Sequence, residues 1–254
     1  NASIINYFST LLGLQLYAEH GYARILDTEK LKNRFEFCTG ASFEAFMDLK
    51  YLDETPGTTP ENIRHCNPSR FLLWQDILQG LLDKHIRGLD MENHYAKYEK
   101  VFEKHEANNG EWGFVFRIPR KVCSVLKVKA SMGLRLKEYY DNKDIAGLEK
   151  ILHGQMPELK KSVEDLRREH RAQWFEFNKP FGWEVLDLCY GGLLARIDTA
   201  MWRVQDFIDG KAVRIEELDE DRLFFDGIER PVGTDDIGRC NYYYRIVSTN
   251  VTWY

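Results

Sequence analysis

Apolar residues in this chain recur mainly three and four positions apart, the spacing that places side chains on one face of an α-helix. Over residues 5–20, Phe8, Leu11, Leu12, Leu14, Leu16 and Tyr17 run almost all round the helical wheel, which predicts a helix buried on several sides and closed by Gly21. Two short helices are expected over 28–37 and 42–52. The stretch 53–68 gathers Pro56, Gly57, Pro60 and Pro68 and reads as a loop. Ser69 is placed to cap a helix whose broad apolar face runs from Phe71 through Trp74 and Ile77 to Leu82. Tyr95, Tyr98, Val101 and Phe102 predict an amphipathic helix over 91–105.

Three long helices then follow. Pro119 suits a first helical turn and precedes Val122, Val125, Val128, Met132, Leu136 and Tyr139. Pro157 opens the next, on which Leu159, Val163, Leu166 and His170 form a seam for another helix. Cys189, Leu193, Ile197, Ala200, Val204 and Ile208 repeat the seam until Gly210 stops it. Short connections between these helices predict an antiparallel bundle, with the earlier helices as a further layer. From Val213 the pattern changes, and alternation over residues 242–248 predicts an extended or β tail. The expected fold is therefore mainly α: a multi-helix antiparallel bundle with a short extended tail.

Composition narrows the function. The chain has 254 residues, a formal net charge of −5 and no basic stripe with interleaved aromatics, so nucleic acid is not an expected partner. The apolar run around residues 8–17 is broken by Gln15 and falls short of the ~20 residues that span a bilayer. No membrane segment is expected. Five cysteines, odd in number and never in a C-x-x-C pair, argue against a disulfide framework or a structural zinc site and fit a reducing, cytoplasmic setting.

The sequence lacks G-x-S-x-G, a phosphate-binding G-x-x-x-x-G-K-[ST], and any His with a Glu three residues before it or another His four away. No cofactor or metal is therefore expected. Two Asp-Glu pairs, Asp53-Glu54 and Asp219-Glu220, invite a glycosidase reading because such enzymes work with paired carboxylates. Their polar, turn-like surroundings contain nothing to raise a Glu into general-acid range, so they read as solvated charges. Trp74, Trp174 and Trp202 lie on apolar helical faces and read as packing residues rather than sugar platforms. His170 reads as a hydrogen-bonded core residue.

Some strings are over-specified for a generic bundle. Asn67-Pro68-Ser69-Arg70-Phe71-Leu72-Leu73-Trp74-Gln75-Asp76, continuing to Asp83-Lys84-His85, and Asn178-Lys179-Pro180-Phe181-Gly182-Trp183-Glu184-Val185, followed by Asp187, Gly191-Gly192-Leu193 and Arg196, resemble two motifs of the helical domain behind the catalytic barrel in a bacterial branch of glycoside hydrolase family 20. The opening string Phe8-Ser9-Thr10-Leu11-Leu12-Gly13-Leu14-Gln15-Leu16-Tyr17-Ala18-Glu19 resembles the last helix of that barrel. The resemblance implies residues 1–24 as that last helix and residues 25–254 as the C-terminal helical domain.

It further implies a parent enzyme, an exo-β-N-acetylhexosaminidase that removes terminal N-acetylglucosamine or N-acetylgalactosamine with retention. There the substrate's acetamido oxygen is the nucleophile, a Glu is the general acid, and the preceding Asp orients the acetamido group. Neither Asp-Glu pair of this chain matches the family's context, so no catalytic residue is carried over. The implied partners are the catalytic barrel of the same chain and, through it, amino-sugar glycans. Trp183 and Glu184 are the candidates for substrate contact. Leu12 and Leu16 are expected at an interdomain face, Asp187 and Arg196 in a buried or interdomain ion pair, and Gly191 and Gly192 at a close backbone approach. Without its barrel, the first helix would pair with another copy or fold back on its own bundle. The rival reading is a stand-alone carbohydrate-binding or protein-interaction bundle.

Overall fold

The structure, a computed structural model, describes residues 6–63, 65–224, 227 and 229. Among them every regular element is a helix, as the spacing predicts. In order they are α1 (Leu11–Tyr22), α2 (Thr28–Thr39), α3 (Phe43–Asp48), α4 (Pro68–Trp74), α5 (Asp83–Ile86), α6 (Met91–Asn108), α7 (Phe114–Lys129), α8 (Met132–Asp141), α9 (Ile145–Lys150), α10 (Met156–Phe177), α11 (Trp183–Ile208) and α12 (Glu216–Asp219). The predicted extended tail over 242–248 lies outside the described residues.

The bundle is built on α7. Val115, Phe116, Ile118, Val122, Cys123, Val125 and Leu126 are buried on it, and both α6 and α10 pack against it. On α10 the seam of Leu159, Val163, Leu166 and His170 is buried, and the matching seam of α11 packs on it through Leu186, Tyr190, Leu193, Ile197 and Val204. The connection 178–182 is short, which forces α10 and α11 to run antiparallel. Local signals set the starts of the smaller helices. Asp27 accepts a bond from Lys30 N, Ser42 from Ala45 N and Asp90 from Asn93 N, each a side chain capping a donor that the first turn leaves unpaired.

The helix expected to run on from Pro119 through Tyr139 breaks after Lys129 into α7 and α8. Gly21 lies inside α1 rather than closing it, and α1, expected to be buried on several sides, has no buried residue. Three further boundaries differ from the periodicity. Pro119 lies inside α7, which starts five residues earlier at Phe114. A π-helical turn over Ile151–Gln155 joins α9 to α10, so Pro157 sits in the first turn of α10 without a preceding loop. The third difference is the largest. The helix expected across 71–82 ends at Trp74, and Gln75 turns extended with ψ 136. Residues 75–78 remain buried although they are not helical. Ser69 does not cap α4 either: Pro68 occupies its first turn, and Ser69 N and Oγ both donate to Asp53 Oδ1, at 3.1 and 2.6 Å.

Candidate functional site

A buried backbone turn needs partners for its N–H and C=O groups, and the non-helical segment 75–82 obtains them from charged side chains. Lys129, at the end of α7 and 1% exposed, donates from Nζ to Leu72 O and Gln75 O, both at 2.6 Å. Asp76 Oδ1 accepts from Leu78 N at 2.9 Å and Gln79 N at 3.1 Å, while its Oδ2 lies 2.5 Å from Arg196 Nε of α11. The Gln75 side chain bridges Leu82 N, at 2.7 Å, and Asp83 Oδ1, at 2.8 Å. Arg222, beyond α12, closes the far side. Its Nε lies 3.2 Å from Asp83 Oδ2, and its guanidinium donates to Leu78 O, Gln79 O and Glu217 O.

Two glycines make room for this cluster. A Cβ at Gly80, whose φ is +54, would stand 2.1 Å from Asp83 Oδ2, and one at Gly133 would stand 2.5 Å from the same oxygen. Burial pushes the Asp83 carboxyl up to about 6, against the pull of Arg222, Gln75 and Lys129. Burial likewise pulls the Lys129 ammonium down to about 7, opposed by the carboxylates of Asp76 and Asp83. The cluster binds four parts of the chain into one body: the turn after α4, the end of α7, α11 and the segment beyond α12. Asp76, Asp83 and Lys129 are buried and hold the turn, while Arg196 is partly exposed and Arg222 also lines an open cavity at the surface.

The second constellation is the corner between α10 and α11. Gly182 takes φ +98 over the Trp174 ring, with 3.1 Å between its notional Cβ and Trp174 Cζ2. Trp174 Nε1 donates to Lys179 O at 2.9 Å, and Gly182 N donates to Glu184 Oε2 at 2.8 Å. Trp183 turns inward and is buried, edge-on to His170 at 5.4 Å and stacked near Tyr190 at 6.4 Å. His170 Nδ1 lies 3.0 Å from the Tyr190 hydroxyl, and desolvation alone lowers the imidazole's pKa to about 4. The corner thus exposes Phe181 and Glu184 and hides Trp183. Gly182→Ala is expected to cost about 1 to 2 kcal/mol, because an L side chain is strained at that φ; a thermal melt of the variant checks this.

The structure disperses the other sequence-predicted residues. Arg196 and Asp187 do not pair with each other: Arg196 takes the buried Asp76, and Asp187, half-exposed, meets Arg167 of α10 at 3.1 Å. The close backbone approach expected at Gly191 and Gly192 is not made at Gly191, which is exposed with open space at its Cβ position. It sits with Glu184, Leu188, Ala195, Asp198 and Trp202 on the outward side of α11, where helical spacing carries it away from the bundle; Trp202, read as a packing residue, is thus 61% exposed. Gly192 is half-buried. Leu12 and Leu16 are half-buried against the core. Both Asp-Glu pairs are engaged locally, Asp53 by Ser69, Glu54 by Lys50 at 3.1 Å and Asp219 by the Tyr140 hydroxyl at 2.6 Å, while Glu220 is exposed.

Lys129, Asp83 and Arg222 escaped the sequence reading as a group. One signal was present: Lys129 falls seven residues after Val122 and three before Met132, on the apolar stripe of its own helix, where a lysine must find buried acceptors. Nothing in the sequence points from Arg222 to Asp83.

Comparison with known families gives one match: a model described as the Glycoside Hydrolase 20C C-terminal domain fits residues 44–235. No curated protein matches the chain. No helix among the described residues is long and apolar enough to cross a membrane.

Proposed function

Because the chain belongs to the family of glycoside hydrolase 20C C-terminal domains, we propose that it is the non-catalytic helical domain of an exo-β-N-acetylhexosaminidase, supporting a catalytic barrel in the same polypeptide. A C-terminal domain of this family implies such a catalytic domain, and the parent's substrates would be glycans ending in β-linked N-acetylglucosamine or N-acetylgalactosamine. Hydrolysis there would proceed with the acetamido group as nucleophile and an Asp-Glu pair supplied by the barrel. A cytoplasmic location accords with Cys38, Cys123 and Cys189 remaining as thiols.

One observation carries the non-catalytic reading. The chain's own Asp-Glu pairs are spent on local structure. Asp53 holds the first turn of α4 through Ser69, and Asp219 holds the segment after α11 through Tyr140. A general acid must be desolvated and must face substrate, whereas Glu54 is paired with Lys50 and Glu220 lies in solvent. Trp183 and Glu184 would help the parent only through Glu184, since Trp183 has its ring inside the domain.

The chain alone is therefore expected to leave a chromogenic aryl β-N-acetylglucosaminide intact, while the parent extended through its barrel cleaves it. Turnover by the 254-residue chain that survives repurification would overturn this function.

A further inference from the structure

Arg222 differs from the other charges of the buried cluster in how it arrives. Residues 221–224 belong to no helix, and Glu220, Asp221 and Leu223 are exposed, while the Arg222 side chain between them turns inward and is 9% exposed. Phe224 follows it into the domain, edge-on to His85 at 5.0 Å and with Lys84 Nζ over its ring. Arg222 and Phe224 thus pin an otherwise exposed stretch to the bundle. The guanidinium meets Asp83 Oδ2 at 3.2 Å, Leu78 O at 2.7 Å and Gln79 O at 3.0 Å, all in the turn after α4, and Glu217 O at 3.2 Å.

The turn's acceptors are set in place by residues other than Arg222. Asp76 Oδ1 accepts from Leu78 N and Gln79 N, and the peptide unit of the second carries Leu78 O. Gln75 Nε2 donates to Asp83 Oδ1, which leaves Oδ2 of the same carboxylate for the arginine. Gly80 keeps the space beside it open, since a Cβ there would stand 2.6 Å from Arg222 Nε as well as against Asp83. A carboxylate flanked by two carbonyls suits a planar guanidinium, whose N–H donors leave in one fixed fork; an ammonium is a point charge without that geometry.

We propose that the turn 75–83 is a built guanidinium-binding site occupied in cis by Arg222, and that residues 220–224 are a strap able to leave it while the bundle stays folded. A site held in shape by its own neighbours binds without paying to order itself. Arg222 also lines the surface cavity of about 900 Å³, so a small cation can reach the seat once that side chain is removed. The ligand class is alkylguanidinium, and the strap supplies it as an arginine.

The test exchanges the tethered group for a free one in the 254-residue chain. Arg222→Ala is expected to lower the melting temperature, and methylguanidinium is expected to raise it again saturably; at roughly ten times its dissociation constant it multiplies the folded-to-unfolded ratio about elevenfold. Methylammonium at the same concentration leaves the variant unchanged, and the wild type, whose seat is filled, gains from neither ion. Cleavage after Glu220 by a glutamate-specific protease follows the strap. It is expected to be on the order of tenfold faster in Arg222→Ala, and to stay fast with methylguanidinium bound, because a free ion fills the seat without tethering the chain. A matching response to methylammonium, an equal gain by the wild type, or no response at all overturns the site, and cleavage unchanged by Arg222→Ala overturns the strap. If Arg222→Ala does not fold in buffer, the same ions are added during refolding. Recovery in methylguanidinium alone supports the site, whereas recovery in neither overturns it, since the turn would then need Arg222 for its shape.

Discussion

Lys129→Met is expected to destabilise the bundle by about 3 to 5 kcal/mol, the range found when one partner of a buried ionic cluster is removed. Methionine fills much of the same volume, so the loss isolates the ammonium group. Two effects add. Leu72 O and Gln75 O, buried where α4 gives way to the turn, lose the Lys129 donor, and each buried acceptor left without one costs about 1 to 3 kcal/mol. Asp83, fully buried, also loses a neighbouring positive charge. Urea unfolding of the variant and the wild type at neutral pH measures the difference. Arg196→Met is the comparison, because Arg196 is partly exposed and Asp76 keeps its two backbone donors without it. A cost for Lys129→Met no larger than that for Arg196→Met would show that Lys129 does not hold the turn.

His170 is expected to make stability depend on pH between about 4 and 6.5, by roughly 3 kcal/mol over the whole interval. Its folded pKa is depressed from 6.5 to about 4 by desolvation among Trp174, Trp183 and Tyr190. In that interval the unfolded chain holds a proton that the folded chain refuses. The contribution is complete above 6.5 and is lost as the pH falls through about 4. Asp83 has the opposite sign. Its folded pKa, raised to about 6 from 3.8, gives a contribution that is complete below 3.8 and lost as the pH rises through about 6. The two largely offset each other in the wild type, which would show a shallow profile. His170→Gln removes one of them. The stability difference between wild type and variant should therefore shrink steadily from pH 7 to pH 4, and a difference that stays constant would show that the imidazole is solvated in the native state.

Much of the architecture was legible from residue spacing, because a helix needs only local hydrogen bonds and one apolar face. The seams on α10 and α11 read correctly for that reason: the inward positions are mostly apolar, and packing brought the two faces together, although Leu188 and Trp202 of α11 remain exposed on its outer side. At the corner before α11, Pro180 and Gly182 constrain the backbone by themselves, but of the two aromatic residues expected to pin it by burial only Trp183 is buried, while Phe181 is 80% exposed.

Residues 71–82 show the limit. Their apolar run fits a helix as well as a buried turn, and periodicity cannot separate the two. Where the helix ends at Trp74, Lys129, 54 residues after Gln75, takes carbonyls that a continuing helix would have used. Likewise, Asp187 and Arg196 were legible as ionic residues, but their partners were not. Arg196 bonds across 120 residues to Asp76, and Arg222 across 139 to Asp83. The sequence alone determined the helices, their apolar faces and the family to which the chain belongs. Tertiary structure decided where those helices stop and which charges are buried together, because each depends on groups that meet only when distant segments pack.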